Sequence, residues 1–354
     1  MPGVSDSRWA AQATNPGEIE AALRGMLTER HAENASYVPA RVLNLVCVVD
    51  KAWSGEIANR LRQVGRYHAS RTVVLSLEPG RETLDAVATI ASDVHPQAGE
   101  FALLRETVIV EVGDQHLPAL DTIVDPLVVT DLPTLLWSPH GHPEAIDLLL
   151  PLAQAVLLDS VDEPDLQEAL DRAQQLARKV YVVDLAWLRS TPWRERVAAT
   201  FDPDNLRPDL QTMSAVTVRH HPDSTVAALL LIGWLASRLD WEPSRLIARN
   251  GSLAGKAHAR RQDIGLLLEP EPSQSVRGLA GLTLETASGR HLELDRGPGG
   301  LRARYRNRRG DEREWTVLGA SRGEPGILGE GIRQALLRDP TYLPALKAAQ
   351  AMLP

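Results

Sequence analysis

The residues best placed to do chemistry are charged ones at strand spacing. Arg302, Arg304, Arg306 and Arg308 recur at every second position. On a β-strand this puts four guanidiniums on one face and Leu301, Ala303 and Tyr305 on the other. Such a row could bind phosphates. The stretch that follows, Arg309-Gly310-Asp311-Glu312-Arg313-Glu314, supplies carboxylates for a neighbouring strand. A cross-strand ion-pair ladder or a protein interface is therefore the stronger reading. Trp187-Leu-Arg189 and Trp193-Arg194 form a second set. Core packing accounts for most of the tryptophans, and core and interface Trp cannot be told apart without exposure. Because interface centres favour Trp and Arg, Trp187, Arg189, Trp193 and Arg194 are the candidate partner-binding anchors, with Arg302, Arg304 and Arg306.

Catalytic constellations fail on spacing. His140-Gly-His142 and His220-His221 lack the HExxH or His-x3-His pattern of a metal site. There is no GxSxG elbow, and Cys47, the one cysteine, lies in an apolar run where a thiol is inert. A single cysteine also excludes an intrachain disulfide. Gly251-Ser-Leu-Ala-Gly255-Lys256 is one residue short of a phosphate loop, and Ala257 stands where Ser or Thr would hold Mg²⁺. No catalytic residue, metal or cofactor is expected.

The elements that must carry these residues alternate. Asn15 caps a helix over 16–33, with Pro16 at its first position and Glu18 three residues past the cap. Val42–Val49 and Thr72–Leu77 are apolar throughout, as strands buried on both faces are, and a helix over 54–64 joins them. Further strands are expected over 84–90, 108–112, 131–137 and 155–159. Pro133 delays the third of these or confines it to an edge. Helices over 117–124, 144–150 and 164–178 alternate with them, which indicates a sheet covered on both faces. Thr191 and Pro192 open another helix, a strand over 215–218 follows, and 224–241 is apolar nearly all round, hence buried.

Past Trp241 the texture changes. Residues 242–261 mix Pro, Gly, Ser and Arg, and short strands then run over 265–268, 279–286, 291–295, 301–307 and 314–318. The expected architecture is α/β. An N-terminal helical extension covers 1–40, and an α/β sheet domain with helices on both faces covers 41–241. A linker over 242–262 leads to a smaller C-terminal antiparallel β domain, 263–354, closed by two helices. In an open α/β sheet, ligands bind outside the carboxyl ends of the strands. That rim would carry Asp50, Lys51, Trp53, Glu78, Trp137, Ser138, His140 and Asp159, a mixed set with no nucleophile–base–orienter trio. His68-Ala-Ser70-Arg71, before the second strand, could cradle an anion. A rim of caps and turns is the plainer reading.

Composition bounds the class. The chain has 354 residues, 44% hydrophobic and 24% charged, which excludes wholesale disorder, collagen and a membrane bundle. Its longest apolar run, Val226 to Ala236, is eleven residues, against about 20 for a bilayer span. Met1 to Glu20 shows no secretory pattern, so a cytoplasmic protein without membrane contact is expected. The net charge of -8 divides unevenly: residues 241–354 hold 18 Lys and Arg against 13 Asp and Glu, and the remainder is acidic. No domain is basic enough to expect nucleic acid as a partner.

Five segments occur in order along the chain. They are Arg41-Val-Leu-Asn44-Leu-Val, His68-Ala-Ser70-Arg71, Asp131-Leu-Pro133-Thr-Leu-Leu-Trp137, Asp184-Leu-Ala-Trp187 with Thr191-Pro192-Trp193-Arg194, and Gly233-Trp234-Leu-Ala-Ser237-Arg238-Leu. Together they resemble the glucose-6-phosphate dehydrogenase assembly protein (OpcA) family of actinobacteria and cyanobacteria, most specifically over about residues 130–240. The resemblance implies a non-catalytic partner of glucose-6-phosphate dehydrogenase. Such a partner favours the active oligomeric enzyme, and with it NADPH formation in the oxidative pentose phosphate pathway. It brings no catalytic residues. Some cyanobacterial relatives are linked to thioredoxin through cysteines, whereas Cys47 alone cannot form a dithiol switch. The alternative is a sugar-phosphate-binding protein or enzyme at the carboxyl ends of the strands.

Overall fold

The structure, a computed structural model, describes residues 6–39, 41–64, 69–92, 102–260, 262–318 and 323–354. His68 lies outside the described residues. The chain forms two compact units. The first comprises Met1–Leu158, Lys179–Val183 and Leu328–Leu336, and the second Asp159–Arg178, Asp184–Ile327 and Leu337–Pro354.

The first unit carries strands β1 (Ser7–Ala11), β2 (Tyr37–Pro39), β3 (Leu43–Asp50), β4 (Ser70–Leu77), β5 (Asp85–Ser92), β6 (Ala102–Val112), β7 (Thr134–Trp137), β8 (Ala155–Leu158) and β9 (Tyr181–Asp184). Its helices are α1 (Pro16–Glu33), α2 (Ser54–Val64), α3 (Leu120–Val124) and α4 (Pro143–Leu149). The sheet order is β1-β5-β6-β4-β3-β7-β8-β9. β6, β4, β3, β7 and β8 run parallel, and β5 and β1 add an antiparallel edge. Chain order therefore reverses between β3 and β7, as in a doubly wound nucleotide-binding sheet.

Local chemistry explains these elements. β3 is buried over Leu43–Val49 on both faces, and Cys47 is fully inside, where burial pushes its thiol well above its ordinary pKa. α1 begins where expected, with Asn15 Oδ1 accepting from the Glu18 amide at 3.0 Å. β7 is an interior strand that starts one residue after Pro133, whose carbonyl accepts from the Asn44 amide at 2.8 Å. Asn44 is wholly buried, and its amide group reaches the Val129, Leu132 and Thr134 positions of that loop. One side chain thus ties the entry of β7 to β3.

The second unit contains α5 (Leu166–Ala177), α6 (Leu185–Arg189), α7 (Thr191–Phe201), α8 (Arg207–Leu210), β10 (Met213–His220) and α9 (Thr225–Leu239). Strands β11 (Glu242–Pro243), β12 (Ile247–Arg249), β13 (Ser252–Ala259), β14 (Gln262–Pro270), β15 (Leu279–Thr286), β16 (His291–Gly297), β17 (Gly300–Arg306) and β18 (Glu312–Leu318) follow. α10 (Gly323–Leu337) and α11 (Tyr342–Ala351) complete the chain. The sheet order is β11-β13-β14-β10-β15-β16-β17-β18, with β12 on β13. α9 is buried nearly all round, as its sequence requires. A Cβ on Gly233 would come 2.2 Å from the Ala345 carbonyl oxygen, so α9 and α11 meet backbone to backbone.

The two-domain α/β class holds, but the boundaries differ from those expected. Residues 6–39 are more than a helical extension: besides α1 they carry β1, which pairs with β5, and β2, which pairs with β6. The 242–262 stretch is not a linker but β11, β12 and β13. Asn250 and Gly251, with φ +51 and +81, turn β12 into β13 as a two-residue hairpin. The phosphate-loop lookalike is this turn and its strand. The division does not fall at 241 either. β10 is parallel to β14 and antiparallel to β15, so it belongs with strands far downstream. Only β15 to β18 form the expected antiparallel meander. Of the two closing helices, part of α10 belongs to the first unit.

Candidate functional site

In a sheet of this order the ligand crevice lies at the carboxyl ends of β3 and β7. Asp50 ends β3, and Lys51–Trp53 form one 3₁₀ turn leading into α2. Glycines would let a pyrophosphate approach the backbone here, but this chain has Asp50-Lys51-Ala52-Trp53. Trp53 is 46% exposed, and its ring lies 5.2 Å from that of exposed His140. Across the crevice, Ser138 Oγ lies 3.0 Å from the Val48 carbonyl oxygen and also contacts that of Gly141. Gly141 and His142 follow with φ +104 and +58. His142 Nε2 stands 3.2 Å from Asp50 Oδ1, at ion-pair distance but without hydrogen-bond geometry. Lys51 pairs with Glu111, and Arg81 with Glu78, Asp85 and Glu111. Trp137, expected on this rim, is only 3% exposed, because a strand covered on both faces buries side chains in either direction.

Ser70 and Arg71 do not join the rim. They begin β4 opposite Leu43 and Asn44, at the amino end of the sheet. Arg71 is buried, its Nε 2.8 Å from Glu106 Oε2 and its Nη1 2.9 Å from Glu20 Oε2. Arg41 bonds the other oxygen of Glu106. Where an anion cradle is the less plain of two readings, the described residues form an ion network that locks α1, β4 and β6 together.

The Trp/Arg anchors expected between 187 and 194 are also inside. Trp187 and Trp193 are each 2% exposed. Arg194 stacks 3.6 Å above the Trp187 ring, and burial lowers its pKa to about 10. Trp187 Nε1 donates to Asp339 Oδ2 at 2.8 Å. Tyr342 packs on the same indole and donates to Asp184 at 3.0 Å. Asp184 also accepts from the Ser160 hydroxyl and amide and from the Ala186 amide. Burial and then the Asp159 charge raise its pKa to about 6. Arg189 makes a two-point pair with Asp159, at 2.8 and 2.7 Å. The sequence signal of an interface and of a buried cation–π cluster is the same here, and only the fold separates them.

Three of the four arginines of the expected row lie on β17, which ends at Arg306. β16, β17 and β18 place Asp295, Arg302 and Thr316 in one row and Glu293, Arg304 and Glu314 in the next. Arg304 pairs with Glu293 at 3.1 Å and Arg302 with Glu314 at 3.4 Å. Arg306 lies beside His291 and Glu312 and is exposed. Arg308 has left the strand and binds buried Asp209 at 2.8 Å. The Arg304 row continues through Thr283, Thr217, Leu267 and Ala254 to Ile247, which is 71% exposed. Sequence reasoning missed this apolar-to-charged gradient, because the row draws on eight strands.

Two family models match the chain. The glucose-6-phosphate dehydrogenase subunit N-terminal domain matches residues 61–175, and the C-terminal domain of the same subunit matches 180–346. The chain belongs to the glucose-6-phosphate dehydrogenase assembly protein (OpcA) family. Similar OpcA proteins named for the OxPP cycle occur in cyanobacteria. That of Synechocystis sp. is 30% identical over 149 residues, 41% of this chain and 30% of the relative. That of Nostoc punctiforme is 30% identical over 166 residues, 46% and 36%. The chain spans about a third of the length of the curated relatives it matches. Among solved structures, apo scyllo-inositol dehydrogenase from Lactobacillus casei is similar over 89% of this chain and 96% of its own, at 13% identity and TM-score 0.47. The WlbA dehydrogenase of Thermus thermophilus with NAD and α-ketoglutarate covers 88% and 96%, at 15% identity and TM-score 0.46. Likeness at those scores transfers neither activity nor ligand.

The OpcA models divide the chain between 175 and 180, close to where the contacts divide it and well before 241. The segments that carried the family resemblance have structural work: Asn44 ties a loop, Arg41 and Arg71 hold Glu106, Trp187 and Arg194 stack, and Gly233 admits α11. Among the described residues no helix is long and apolar enough to cross a membrane, and no group of three His, Cys, Asp or Glu could hold a metal.

Proposed function

We propose that this chain is a non-catalytic partner of glucose-6-phosphate dehydrogenase, acting in the cytoplasm to favour the enzyme's active oligomeric state in the oxidative pentose phosphate pathway. Family membership carries the reading. Two features of the chain support it. The crevice that would hold a dinucleotide has a tryptophan-bearing turn in place of glycines. The second unit presents a sheet face graded from Ile247 to the Arg302, Arg304 and Arg306 row, with an apolar patch beside charges that set register. We assign partner binding to that face and set aside Trp187, Arg189, Trp193 and Arg194, which are buried.

The mechanism is differential binding. A partner that prefers the active enzyme shifts its population only by the difference in affinity for the two states. A coupling of about 1–3 kcal/mol changes apparent substrate affinity roughly 5- to 150-fold. The sugar-phosphate alternative has less support, because Lys51 and Arg81 at the rim are held by Glu111, Glu78 and Asp85. Mass photometry of the cognate dehydrogenase with this chain tests the reading. A heavier particle than the enzyme alone is expected, and an unchanged mass distribution with both proteins folded would overturn it.

A further inference from the structure

The carboxyl rim of the first unit has features that the partner role does not use. Trp53 is a large aromatic left 46% exposed at the place where sheets of this order take ligands. His140 stands against it as a second ring. The loop opposite is held in an uncommon form: His142 is left-handed at φ +58, Gly141 precedes it at +104, and Ser138 fastens the turn to β3. A non-glycine residue held left-handed stores strain, and such strain gathers where a side chain must be aimed. Here it aims His142 Nε2 at Asp50, whose carboxylate remains half exposed with acceptor capacity to spare.

We infer that this rim binds a neutral polyhydroxylated ring, a pyranose or a cyclitol, stacked on Trp53 and hydrogen-bonded by Asp50, beside which His142 stands. The C–H face of such a ring matches an indole, and its hydroxyls can donate to the half-exposed Asp50 carboxylate. Charge selects against phosphate esters. Asp50, Glu78, Asp85 and Glu111 outnumber Lys51 and Arg81, and both cations already pair with those carboxylates. A nucleotide would bring its phosphates to the same carboxylates and find no glycine turn.

Saturation-transfer NMR on the full chain, without the dehydrogenase, tests this separately from the partner reading. The probes are methyl α-glucopyranoside, myo-inositol and glucose 6-phosphate. Transfer is expected to the ring protons of at least one neutral probe, with glucose 6-phosphate weaker by about tenfold at low ionic strength, where surface charge is least screened. Trp53→Ala should abolish the transfer. Asp50→Asn, which keeps the aromatic platform, should weaken it about tenfold, the loss of one charge-assisted hydrogen bond. No transfer from either neutral probe to the folded wild type would overturn the proposal. So would undiminished binding by folded Trp53→Ala, or tighter binding of glucose 6-phosphate than of both neutral rings.

Discussion

Two regions of the second unit use tryptophan, arginine and carboxylates to opposite ends. Around Trp187 the cation is sandwiched: Arg194 lies on the indole, Asp339 receives the indole N–H, and Tyr342 closes the side. On β17, Arg302 and Arg304 stand in water with side chains 53% and 43% exposed, paired across strands to Glu314 and Glu293. The first arrangement is costly to disturb, because an unpaired buried cation keeps its desolvation penalty. The second is worth little to the fold, since exposed pairs contribute about 0–1 kcal/mol. Residues that contribute little to folding can be committed to a partner.

The comparison can be broken most forcefully at Trp187. Trp187→Ala should lower stability in denaturant by about 3–5 kcal/mol through the cavity and the stranded Arg194, and a near-neutral result would move the indole to the surface. Gly233→Ala comes next: its methyl group meets the Ala345 carbonyl oxygen, and overpacking of that kind costs about 1–3 kcal/mol or more. Asp184 sharpens the contrast through pH. Its folded pKa of about 6 lies above the unfolded value of about 4. The folded state therefore keeps a proton that the unfolded chain releases, and stability should fall as pH rises from about 4 to 6. Asp184→Asn should flatten that slope when melting temperature is followed across the window. Smallest for the fold is Arg304→Ala, which removes one exposed pair and should change stability by less than about 1 kcal/mol while weakening dehydrogenase binding measurably by interferometry.

Much of the first unit was legible because its signals are local. Apolar runs such as Val42–Val49 announce strands covered on both faces, and Asn15-Pro16 announces α1. The second unit hides its topology, since β10 pairs with strands some fifty or more residues away, and no periodicity reports a long-range partner. The β12–β13 hairpin was readable in principle from Asn250-Gly251, but exposed strands rich in Gly, Ser and Arg look like a linker. For the candidate sites, alternation in Arg302, Arg304 and Arg306 revealed the shared face directly. The types at Trp187 and Arg194 revealed a close association but not which side of the surface it lay on. The sequence places Trp53 on the rim after the first buried strand, but its exposure is a property of the fold.

The partner role is tested most directly by dehydrogenase kinetics. The cognate enzyme is assayed against glucose 6-phosphate alone, with the wild-type chain, and with a folded variant carrying Arg304→Glu and Arg306→Glu. The wild type should lower the half-saturating concentration or raise the maximal rate, and the variant should do so far less. Identical curves in all three assays would contradict the partner role, and a variant as effective as the wild type would move the contact away from the open face of the sheet.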